Sequence, residues 1–87
     1  MTVIKKSGKK EAFSTEKLMQ SIAAASDEAK EPLNESDLKI LLAEFQMITK
    51  EKNLITSQQI DIIVNGLLYS RGFHGVLAHY VSYTQKR

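Results

Sequence analysis

The chain has 87 residues, 43% of them apolar and 25% charged, with a formal net charge of +2, the balance of one small folded domain rather than of a disordered segment. It has no cysteine and only two histidines, His74 and His79, which excludes disulfides and thiolate metal sites and leaves too few imidazoles for an all-histidine zinc site. No apolar run has the length of a membrane span and no apolar signal segment follows the basic N-terminus, so the expected location is the cytoplasm.

Residues 2–13 read as a β-hairpin. Residues 2–6 are β-branched and then basic, Ser7-Gly8 supplies a turn in which glycine takes a positive φ without steric cost, and residues 9–13 return antiparallel. Two strands alone are marginal in water, so the hairpin must pack on something. Ser14, or else Thr15, caps a first helix over about 15–30, with Leu18, Ile22, Ala25 and Ala29 as its inner stripe. Pro32 is expected to end it, because the residue before proline avoids the α region.

Asn34 or Ser36 caps a second helix over about 35–50, whose first turn carries Glu35 and Asp37. Leu38, Leu41, Leu42, Phe45 and Ile48 form its apolar stripe. The polar stretch 49–53 leads into a loop. Thr56 and Gln59 then fill the reciprocal positions of a capping box. A third helix over about 57–71 follows, with Ile60, Ile63, Val64, Leu67 and Leu68 inward; Gly66 sits inside it and Gly72 stops it. A last helix over about 74–86 turns Val76, Leu77, Tyr80, Val81 and Tyr83 partly inward, with the tyrosine hydroxyls at the rim. The expected fold is α+β and mostly α, a hairpin on four helices in a single domain spanning 1–87.

Charge is unevenly spread. Lys5, Lys6, Lys9, Lys10 and Lys17 face only Glu11 and Glu16 in residues 1–17, whereas residues 27–53 hold seven acids and four lysines. A cationic hairpin that feeds a helix N-terminus offers an anion both ammonium groups and unpaired backbone N–H groups. Lys17, in the first turn of a helix, opposes the dipole unless an anion sits there. Strand alternation sends Lys5 and Lys6 to opposite faces. The same lysines also fit a solvated edge hairpin that resists aggregation. Glu11 can pair with a lysine across the hairpin or accept from an adenine amino group or a ribose hydroxyl; Phe13 reads as core. No serine, histidine and acid order and no glycine-rich phosphate loop appears, so the chain reads as non-catalytic, with no metal site.

With these residues the chain resembles the ATP-cone, the nucleotide-binding regulatory domain of ribonucleotide reductases and of their transcriptional repressor. Val3-Ile4-Lys5-Lys6-Ser7-Gly8, Glu11, Phe13 and Lys17-Leu18 fill the N-terminal pattern, and Thr56, Ile60, Tyr80, Tyr83 and Arg87 the later one. The resemblance implies a hairpin lid on a four-helix bundle with ATP or dATP beneath it, and Mg2+ as the ligand's counter-ion. Lys5 and Lys6 would contact base and phosphates, Glu11 and Ser14 the adenine side, Lys17 and Arg87 phosphate, and Asp61 the ribose; Val3 and Gly8 complete the set. Lys6 stands where the family usually has arginine, which keeps the charge but loses a bidentate contact. Asp61 places an acid near a polyphosphate.

The partners so implied are an adenine nucleotide and a reductase catalytic domain or other regulated protein, with a homo-oligomer as one form of the response. The chain carries no reductase barrel, so it reads as a stand-alone relative or as part of a larger protein. Two other readings fit the residues: a small nucleic-acid-binding protein that uses the lysine hairpin, and a helical protein-interaction domain with a decayed nucleotide site. The small net charge disfavours the first of these.

Overall fold

A computed structural model describes residues 1–85 as a three-stranded sheet and four helices. In chain order these are β1 (Thr2–Ile4), β2 (Lys10–Ala12), α1 (Thr15–Ala29), α2 (Glu35–Ile48), β3 (Leu54–Thr56), α3 (Ser57–Ser70) and α4 (His74–Gln85). The class is α+β and mostly helical, as the sequence implies.

The hairpin closes where Gly8 allows it. Gly8 has φ +87°, its N–H donates to Lys5 O at 2.8 Å, and Lys5 N–H donates to Lys9 O at 2.8 Å. Lys6-Ser7-Gly8 is thus a three-residue hairpin loop with a left-handed third residue. The sequence reads the segment before Thr56 as a loop; the structure instead adds β3 there, parallel to β1, in the order β2-β1-β3. Val3 lies opposite both Glu11 and Ile55. Opposed residues share a sheet face, so these three point toward the helices, and Lys5, two residues beyond Val3, shares their side. Val3 and Ile55 are buried and anchor the sheet on the bundle.

Ser14 caps α1, its Oγ accepting from Lys17 N–H at 3.2 Å. Leu18, Ile22 and Ala25 face the core. Pro32 does not set the end of this helix. Lys30 takes a left-handed conformation (φ 54°), and Glu31 N–H returns to Ser26 O at 3.3 Å. That is the geometry of a Schellman-type stop. The buried Ser26 hydroxyl completes the turn: it donates to Glu31 O at 2.7 Å and accepts from Leu33 N–H at 2.9 Å.

Asn34, rather than Ser36, caps α2 in a capping box with Asp37. Leu41 and Phe45 are buried, but Ile48 is 52% exposed. Thr49 takes the inner position one turn after Phe45, where its Oγ1 donates to Phe45 O at 2.9 Å. Thr56 and Gln59 form the capping box of α3, and Gly72, at φ +78°, follows its end. A Cβ built at Gly66 meets nothing within 4 Å, so no close helix approach uses that residue. In α4, Val76 and Tyr80 are buried, whereas Tyr83 is 48% exposed rather than turned inward. Glu31 Oε1 accepts from Val76 N–H at 3.3 Å and ties the start of α4 to the turn after α1.

Candidate functional site

An open cleft lies where the hairpin meets the bundle. The space between its walls is about 580 Å³ with open solvent included. Val3, Lys5, Glu11 and Phe13 line it from the hairpin side; Ser14, Lys17 and Ser21 from α1; Ser57, Ile60 and Asp61 from α3; and Tyr80 from α4. The placement follows from the chain order. β2 runs within three residues into α1, and β3 runs directly into α3, so the sheet delivers the starts of two helices to one cleft. Helix starts present backbone N–H groups and the positive end of the dipole. Two of them beside Lys5 and Lys17 make this corner attractive to an anion.

The cleft also carries acids. Lys5 Nζ stands 3.3 Å from Glu11 Oε1. Asp61 Oδ1 accepts from the Tyr80 hydroxyl at 3.2 Å. One cleft therefore holds ammonium groups and helix starts, which suit phosphate, together with carboxylates, which suit uncharged hydrogen-bond donors.

Of the residues singled out in the sequence, Val3, Lys5, Glu11, Ser14, Lys17 and Asp61 come together here. Lys6 does not. It sits in the hairpin loop and lines an adjoining cleft with Lys5, Ser7, Ser57, Asp61 and Thr84, a space of about 690 Å³ with open solvent included. Gly8 lies at the hairpin turn, where it acts through its backbone. Arg87 lies outside the described residues. Sequence reasoning missed Ser21, Ser57, Ile60 and Tyr80 as lining residues. Ser21 sits one turn after Lys17, and Ser57 and Ile60 flank the capping residues, so helical spacing could have found them. Tyr80 has no local signal, since α4 reaches the cleft only through the packing of the bundle.

Phe13 lines the cleft but belongs to the core: its ring stacks on Phe45, with centroids 5.3 Å apart and planes 16° from parallel. Neither histidine lines the cleft; His79 Nδ1 lies 3.4 Å from Glu28 Oε2, and His74 meets the edge of Tyr69. Among the described residues no group of three His, Cys, Asp or Glu side chains could hold a metal ion. Among the same residues, no helix is long and apolar enough to cross a membrane.

A search of curated proteins finds no match to the chain. A family model, the ATP cone domain, matches residues 1–87, the whole chain. The chain belongs to the ATP-cone family, whose domains bind ATP or dATP and serve regulation rather than catalysis.

Proposed function

We propose that this ATP-cone is a non-catalytic allosteric module that holds ATP or dATP in the cleft beneath its hairpin and signals the difference to a host. One observation carries the reading: Lys5, Lys17, Glu11 and Asp61 surround a single cleft on which the starts of α1 and α3 converge. Lys17 and the start of α1 take the phosphates, whose charge Mg2+ shares as it arrives with the ligand. Glu11 and Ser14 take the adenine side, and Asp61 takes a ribose hydroxyl. Lys5 and Lys6 close over base and phosphates from the hairpin, and Arg87 adds a phosphate contact. ATP and dATP share all but one hydroxyl, so regulation rests on a small difference in binding that biases two arrangements of the host. The host in this reading is a cytoplasmic ribonucleotide reductase, or the chain is a stand-alone relative that acts on a separate partner, with oligomerisation as one output.

Calorimetric titration with ATP, dATP, GTP and a short DNA duplex at moderate salt tests this. The expected result is saturable binding of both adenine nucleotides and much weaker binding of GTP. Lys6, Lys9 and Lys10 are exposed around the hairpin loop, which favours a nucleic-acid arm as the second reading. Duplex binding that weakens steeply with salt would support that reading instead. Binding of none of the four would leave a helical interaction domain without a working nucleotide site.

A further inference from the structure

We propose that Tyr80 is a positioning residue of this site: its hydroxyl fixes the Asp61 carboxylate so that it meets the uncharged, donor-bearing part of the nucleotide. The proposal rests on the nucleotide reading above and adds to it a residue from α4.

Tyr80 is 1% exposed and packed in the core, so its hydroxyl has a fixed place. That hydroxyl donates to Asp61 Oδ1 at 3.2 Å, across the seam between α4 and α3. Both residues line the cleft, and Asp61 also lines the adjoining one, so its carboxylate stands on the wall between them. Lys5 lines both clefts too, with its ammonium already beside Glu11. A carboxylate repels a polyphosphate, so the phosphates lie toward Lys17 and the start of α1. The part of the ligand facing Asp61 must donate hydrogen bonds, as a ribose hydroxyl or an adenine amino group does.

The test is a double-mutant cycle on the full chain, with Tyr80→Phe, Asp61→Ala and the pair, each titrated with ATP and with inorganic tripolyphosphate. Tyr80→Phe keeps the ring and removes only the hydroxyl. The expected result is ATP affinity lowered about fivefold, tripolyphosphate affinity unchanged, and no further effect of Tyr80→Phe once Asp61 is alanine. Unchanged ATP affinity, equal losses for both ligands, or the same loss in the Asp61→Ala background would each overturn the proposal while leaving the nucleotide reading in place. No ATP binding by the unmodified chain would overturn both. Should Tyr80→Phe fail to fold, Asp61→Asn, which retains an acceptor for the hydroxyl, is compared with Asp61→Ala. Asparagine is expected to keep more of the ATP affinity, and equal losses would overturn the proposal.

Discussion

Lys5 and Glu11 meet diagonally across the hairpin, Nζ to Oε1 3.3 Å, on the sheet face that Val3 buries. Their side chains are 48% and 31% exposed. A pair so open to water contributes about 0–1 kcal/mol, little enough for the ammonium to exchange its carboxylate for a phosphate. The hairpin thus carries a cation at the cleft at small cost to the fold.

Glu11→Gln therefore separates fold from recognition. The melting free energy should change by about 0.5 kcal/mol or less. In the proposed site Glu11 accepts from adenine, and the side-chain amide both accepts and donates, so the preference for ATP over GTP should fall. Thermal unfolding and parallel titrations with the two nucleotides check the two halves.

Lys17→Ala should divide in the same direction. The lysine stands in the first turn of α1, where a cation opposes the dipole. Its removal should leave the ligand-free protein as stable as before, or more stable by about 0.3–1 kcal/mol. Triphosphate affinity should fall by about tenfold or more, the size of a charge-assisted contact. Unfolding with and without ATP reads both effects, since a ligand at one hundred times its Kd adds about 2.7 kcal/mol. An unchanged affinity would remove Lys17 from the site.

Two left-handed residues predict stability changes of opposite sign. Gly8→Ala places a Cβ at φ +87° with nothing within 4 Å, so its cost is purely conformational, about 1–2 kcal/mol. Lys30→Gly relieves the same kind of strain at φ 54° and should stabilise by up to about 1 kcal/mol. Chemical denaturation of both variants tests the pair.

Ser26→Ala removes a hydroxyl that serves two backbone groups of the turn after α1. Leu33 N–H and Glu31 O lose their partner, so the expected cost is about 1–3 kcal/mol. The turn lies outside the cleft, so ATP affinity measured well below the melting temperature should not change.

What the sequence made legible was local. Ser14, Asn34, and Thr56 with Gln59 cap their helices because a cap needs only residues three apart. Gly8 marks the hairpin loop for the same reason. β3 was not legible, since three residues carry too little alternation and their pairing partner β1 lies some fifty residues away in sequence. The sequence does not reveal the end of α1, because a left-handed lysine, supported by a buried serine, acts ahead of the proline. In the site, Lys5, Glu11, Ser14 and Lys17 sit within one short segment and could be grouped by eye. Asp61 came only with the family resemblance, and its bond to Tyr80 joins two helices through the bundle, which no spacing rule encodes.

Backbone amide spectra of the isotopically labelled chain, recorded with and without saturating ATP, test the central claim most directly. The account predicts shifts concentrated at Val3, Lys5, Glu11, Ser14 and Lys17 and at the start of α3 around Ser57 and Asp61, with the turn at 30–33 unmoved. Saturation with ATP that leaves those amides in place, or shifts confined to the α1–α2 turn, would contradict it.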